Sequence, residues 1–346
     1  MTSRQRVHRC VDLAYPDRPP RDLWLLPLAA IKSGREAVDA FVRRWPTDFT
    51  QPNVGRPAPR RVRGEPHLVG QYVDDWGCTF ENIQAGVIGE VKNPIVIDWS
   101  RLADVQPPTE LLELDVAAIN DFCRNTDKFV FGGGWARPFE RTQFLRGSEN
   151  VYMDLAEEPP EFFELLRIVH GFYRTQFELW ARTDVDALCI MDDWGSQRSL
   201  LIAPDQWRRI FKPFYAEYCA IARAGGKKVF MHSDGFIFDI YEDLIQVGVN
   251  AINSQLFCMD IEEIGRRFRG RITFWGEIDR QHILPRGTPA EVRAAVKRVV
   301  DHLYQPAGGV IAQCELGSGG ELENGDVAYR AWDELTSRAQ ERTPQQ

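Results

Sequence analysis

The sequence predicts an α/β fold of the closed (β/α)8 barrel type, and three observations carry this. The second half repeats a short apolar run, a polar turn and an amphipathic helix, the unit of a parallel sheet. The runs end on Asp, His, Asn, Glu and Cys, as strands do whose carboxyl ends share one mouth. No GxGxxG or GxxxxGK[ST] follows a strand, so the signatures of nucleotide-binding open sheets are missing. A doubly wound open sheet is the alternative. The chain has 346 residues, 44% hydrophobic and 11% aromatic. That suits one barrel domain with insertions, spanning residues 1–346.

Residues 1–22 are polar and Pro-rich and read as a surface arm. Residues 22–26 form the first strand, and residues 30–44 carry helical spacing. Residues 45–108, with several Pro and Gly, read as a loop-rich insertion over the barrel mouth, with a hairpin near residues 86–98. Residues 109–125 look helical. Residues 128–131, followed by Gly132, Gly133 and Gly134, read as strand then loop, and residues 159–182 as a long amphipathic helix. A strand at 187–191 ends on Asp192-Asp193-Trp194-Gly195. Pro204, favoured at the first helical position, opens a helix that Gly225-Gly226 stop near Ala224. Strands at 228–231, 249–253 and 272–275 follow, with helices at 260–269 and 289–304, the latter capped by Thr288 before Pro289. The last strand, 310–313, ends on Cys314, and a closing helix starts near Asp326.

The formal net charge of −8 argues against nucleic acid or an anionic membrane as the main partner. No apolar run approaches the roughly 20 residues of a spanning helix, and the first residues lack the apolar core of a signal peptide. Seven cysteines, odd in number and without a paired framework, suit a reducing cytoplasm.

The candidate chemistry gathers around residues 227–253. There a strand ends on His232-Ser233-Asp234-Gly235 before a helix and the next strand. A closed barrel brings further polar groups to the same mouth: Asp192 and Asp193, Asn253 and Gln255, Glu277 and Asp279, Cys314 and Glu315. His232, Asp234 and Cys314 form a zinc-type donor set with one position left for substrate. Glu277 is the alternative oxygen ligand. Asp193, Glu277 and Gln255 would orient a substrate, with Trp76 and Trp194 among its walls and Arg137 and Arg280 as cationic contacts. The stretch Val73-Asp74-Asp75-Trp76-Gly77 is expected to turn into the mouth, with Asp75 or Trp76 touching substrate. The alternative is a surface turn whose Trp76 fills a satellite core.

The stretches MDDWGSQRSLLIAPDQWRRIFKPFY, KKVFMHSDG, ITFWGEIDRQHIL and GGVIAQCELG resemble the uroporphyrinogen decarboxylase superfamily, and its methyltransferase-like members more than the decarboxylase. The resemblance is good from about residue 184 to residue 333 and weak in the N-terminal third. It implies a (β/α)8 barrel. The decarboxylase's RQAGR pattern is absent; the stretch after the first strand reads LPLAAIKSGREAV. The corrinoid-dependent methyltransferases carry a His-x-Cys zinc motif with a distant second Cys. His232 and Cys314 match, while Asp234, a harder donor than thiolate, stands at the first Cys.

The resemblance thus implies a zinc-dependent methyltransferase. Its partners would be a small-molecule methyl donor or acceptor and a corrinoid (cobalamin) carried by a separate protein, since no DxHxxG stretch occurs here. A homodimer is compatible with it. The alternatives are a decarboxylase or lyase of a small acid, using Arg137, Arg198 and Arg280, and a non-catalytic barrel that binds metal or tetrapyrrole.

Overall fold

The structure, a computed structural model, describes residues 1–317 and 321–341. Among the described residues eleven strands occur in chain order: β1 Arg21–Leu25, β2 Phe49–Thr50, β3 Gly70–Val73, β4 Thr79–Asn82, β5 Glu90–Asn93, β6 Phe129–Val130, β7 Ala187–Met191, β8 Lys228–Ser233, β9 Ala251–Ser254, β10 Thr273–Trp275 and β11 Val310–Leu316. Parallel pairing runs β1-β11-β10-β9-β8-β7, and β2 pairs parallel with β6. Phe131 bridges to Ala187, joining β6 to β7, and the Asp48 amide donates to the Arg21 carbonyl, joining β2 to β1. The eight strands therefore close into a barrel with helices outside, as predicted.

Side-chain alternation builds two cores. Phe49, Phe129, Phe131, Phe230, Trp275 and Ile311 point inward and pack together. The opposite parity faces the helices, so Val310, Ala312, Cys314 and Leu316 of β11 belong to the strand–helix layer. Successive strand residues point to opposite faces, so this parity decides which groups can reach the mouth.

Several boundaries differ from expectation for local reasons. The N-terminal arm is not a loose surface segment. Its helix Ser3–Val11 has a Thr2 capping box, and its Val7 and Cys10 are fully buried against the barrel's inner aromatic cluster. The expected helix at 30–44 breaks at Gly34, which takes φ +80°. That at 204–224 breaks at Phe211, and that at 109–125 divides into a 3₁₀ turn, Thr109–Leu112, and the helix Val116–Arg124. Barrel strand β2 lies inside the segment read as insertion. The rest of that segment holds an antiparallel sheet, β3-β4-β5, rather than a lone hairpin. Its residues His67, Gly86, Val87 and Ile88 border the cleft at the mouth, so the insertion does lie over it. No helix of the described residues is long and apolar enough to cross a membrane.

Candidate metal centre at the barrel mouth

His232 stands near the end of β8, in register with Asn253 of β9. Its Nδ1 lies 2.6 Å from Asn253 Oδ1. The Asn253 amide nitrogen donates to the Trp275 carbonyl, which turns the amide oxygen toward the imidazole. Nδ1 must then carry the proton, and Nε2 keeps its lone pair. Nε2 lies 3.4 Å from Asp234 Oδ1 and 3.5 Å from Asp193 Oδ1. The Trp24 ring packs on the imidazole with centroids 5.1 Å apart. The Asp234 amide donates to Asp193 Oδ1 at 2.8 Å, tying the ends of β7 and β8 together. Asp234 Oδ1 is buried without a hydrogen-bond partner.

The local charge is strongly negative. Arg280 pairs with Asp234, with Glu315 at 2.6 Å and with Glu277 at 3.6 Å. One guanidinium thus serves three carboxylates, with Asp193 beside them. Burial pushes the Glu277 carboxyl well up, against the pull of Arg280. Burial also raises Asp193, opposed by His232 and reinforced by Asp234. Crowded carboxylates short of positive charge can take up protons or a cation. Among the described residues, one ligand atom from each of Asp193, His232 and Asp234 lies within 4.8 Å of the others. A tautomer-locked imidazole, an unpartnered carboxylate oxygen and surplus negative charge fit a divalent cation with nitrogen and oxygen ligands. Asp193 and Asp234 border a cleft of about 650 Å³ shared with Gln255 and Arg280, and His232 lies buried just behind them.

The expected ligand set needs one correction. Cys314 is fully buried in the strand–helix layer beside Tyr329, where burial pushes its thiol up to about 12. It does not reach His232. Asp193, expected to orient substrate, takes the place beside the imidazole instead. Gln255 does line the cleft, and its Oε1 accepts from the Gly235 amide at 3.1 Å. Glu277 is buried beneath it against Arg280, and Arg280 is engaged by carboxylates rather than free for a substrate acid.

Trp194 is a second correction. It is fully buried, stacks on Phe139 at 4.1 Å and donates to the Tyr215 hydroxyl, so it is core and not a pocket wall. Asp192 caps the helix Pro138–Arg146 by accepting from the Phe139 and Glu140 amides. Arg198 is exposed on a loop.

Asp75, Trp76 and Arg137 line a different cavity, of about 540 Å³, that shares Ile88 with the cleft. Trp76 is nearly buried against Phe172 and Tyr173, and Asp74 accepts from the Trp76 and Cys78 amides and pairs with Arg141. Asp74 shapes that turn and Trp76 packs into core, while Asp75 and Trp76 border this second cavity rather than the cleft at the mouth. Sequence reasoning missed Arg56, Glu140 and Trp24, and no motif marks them.

A parallel barrel with an acidic, histidine-bearing site at the strands' carboxyl ends is an architecture many enzymes use. Residues 73–322 match the family model for uroporphyrinogen decarboxylase (URO-D), so the chain belongs to that family. No curated protein matches it. Among solved structures it is similar to a methyltransferase from Methanosarcina mazei. Their TM-score is 0.66 at 16% identity, with 97% of this chain and 99% of that one covered. At that identity the likeness shows the fold. An endo-beta-1,4-xylanase from Gloeophyllum trabeum also matches, at TM-score 0.43 and 10% identity over 91% of this chain and 96% of that one. That match carries no functional weight.

Proposed function

We propose that this chain is a metal-dependent methyltransferase that moves a methyl group between a small molecule and a corrinoid held by a separate protein. The observation that carries the reading is the meeting of His232 Nε2, Asp193 and Asp234 at the cleft, with the imidazole's other nitrogen committed to Asn253. The family membership and the shared fold with a methyltransferase agree with it. Asp193, His232 and Asp234 would hold zinc, which supplies Lewis acidity to the heteroatom that gains or loses the methyl group.

The chain's own residues do the rest. Asn253 fixes the imidazole ring. Arg280 holds one oxygen of Asp234 and leaves the other unpartnered. Gln255 and the Gly235 amide, already hydrogen-bonded, shape the cleft wall. The insertion residues His67, Val87 and Ile88 cover the opening and limit water at the reacting atoms. Without the thiolate of Cys314 the ligand set is harder than the His-x-Cys sets of the family's corrinoid-dependent members, which favours an oxygen-bearing methyl compound over a thiol.

The test is methyl exchange with free cob(I)alamin or methylcobalamin, followed by the cobalamin spectrum, across methyl ethers, amines and thiols. Methyl transfer that His232→Ala abolishes supports the reading. Carbon dioxide release from candidate acids without any methyl exchange would replace it with a lyase.

A further inference from the structure

The second cavity is built for a ligand of its own. We propose that it binds a planar aromatic carboxylate, the carboxylate taken by Arg56 and Arg137 and the ring by aromatic walls that include Tyr72, Trp76 and Trp135. The proposal deepens the methyl-transfer reading by naming its substrate class.

Four observations carry it. First, Arg56 is an exposed residue at the cavity's edge that makes no hydrogen bond or ion pair with any described residue, Asp75 attracting it only from a distance. Its guanidinium fork is open to a carboxylate entering the cavity. Second, Arg137 spends one nitrogen on the Met191 sulfur, a weak acceptor, at 2.9 Å, and its nearest carboxylate, Glu140, is 3.8 Å away. Most of its donors are free.

Third, the nearby carboxyls are directed elsewhere. The buried Arg141 is matched by Asp74 and lies 3.5 Å from Asp75. Glu140 lies 3.8 Å from Arg137, and no carboxylate among the described residues forms an ion pair with Arg56. Glu140 Oε2 and Gln176 Oε1, buried and without hydrogen-bond partners, are further polar contacts in wait.

Fourth, the backbone makes room for this arrangement. A Cβ at Gly133 would meet Arg56 Cζ and Trp180 Cζ2, both at 2.9 Å, and one at Gly134 would overlap the Gln176 amide at 2.3 Å. The run Gly132-Gly133-Gly134 after β6 is therefore what admits the guanidinium and the amide. The volume of about 540 Å³ suits a small organic acid. The cavity shares Ile88 with the cleft at the proposed metal centre, so the two adjoin there.

Binding can be measured without metal or corrinoid, so its failure and the failure of methyl transfer are separate results. Titration calorimetry and tryptophan fluorescence, read on the whole chain, use benzoate and 4-methoxybenzoate as probes and benzamide as the uncharged control. The expected result is saturable binding of at least one carboxylate, about tenfold or more tighter than benzamide. Arg56→Gln and Arg137→Gln should each weaken the carboxylate about tenfold while leaving benzamide binding and melting temperature near those of the unaltered protein. Equal affinity for carboxylate and amide, full carboxylate binding by Arg56→Gln, or no binding of either acid below about 10 mM overturns the proposal.

Discussion

Removing the Arg280 guanidinium tests the electrostatics of the mouth. Arg280 lies 2.6 Å from Glu315 and 3.6 Å from Glu277, and it contacts Asp234. Both glutamate side chains are buried, and that of Arg280 is half-buried at the cleft. With an effective dielectric of about 20, the two measured distances correspond to gross attractions of about 6 and 5 kcal/mol. Desolvation offsets most of that, and breaking a buried pair typically costs about 3–5 kcal/mol net. Arg280→Gln should therefore lower the unfolding free energy of metal-free protein by about 3–5 kcal/mol at neutral pH.

The loss should depend on pH. Glu277 already has a raised pKa, and without the guanidinium its protonated form is favoured further. A raised carboxyl stabilises the fold below its unfolded pKa and loses that contribution as pH rises through the folded pKa. The deficit of Arg280→Gln should thus shrink as pH falls and Glu277 holds its proton, and grow as pH rises through the raised Glu277 pKa. Urea unfolding at several pH values, with slopes compared, reads this directly. A variant as stable as the unaltered protein, or one equally destabilised at every pH, would refute the charge account.

Two further outcomes follow from the packing. Asn253→Leu keeps bulk but removes the acceptor for His232 Nδ1; metal affinity should fall about 10–100-fold, measured by competition with a chromogenic chelator, and unchanged affinity would show that the tether does not matter. Trp194→Ala should cost about 3–5 kcal/mol in urea unfolding, because the ring is fully buried on Phe139, yet leave the folded fraction's metal content intact; a small cost with lost metal would return Trp194 to the site.

The strand ends at the mouth were legible because each apolar run is long enough to mark a strand and stops on a polar residue. Those strand ends bring His232, Asp234, Asp193 and Gln255 to one mouth. Cys314 was misplaced by parity. The run was expected to end at Gln313, making Cys314 the first loop residue, but β11 continues to Leu316. Inside a strand Cys314 takes the outward face of Ala312 and Leu316. Strand β2, two residues long, is too short to leave a period, whereas β6, equally short, shows in the apolar run 128–131 before the glycines. The arm's helix showed no long apolar stripe, only Val7 and Cys10 aimed at the barrel. Arg56 and Glu140 carry no local signal, because only the closed chain brings the triple glycine, the insertion and the helix Pro138–Arg146 around one cavity.

The central claim is that Asp193, His232 and Asp234, without Cys314, form a metal centre. Elemental analysis of purified protein tests it most directly, comparing the unaltered chain with Asp193→Asn, His232→Ala, Asp234→Asn and Cys314→Ala. The account predicts about one zinc per chain, sharply reduced in the first three variants and retained in the fourth, since each ligand supplies one of only a few bonds. Zinc that survives loss of His232, or that disappears with Cys314 while the fold stays intact, would contradict it.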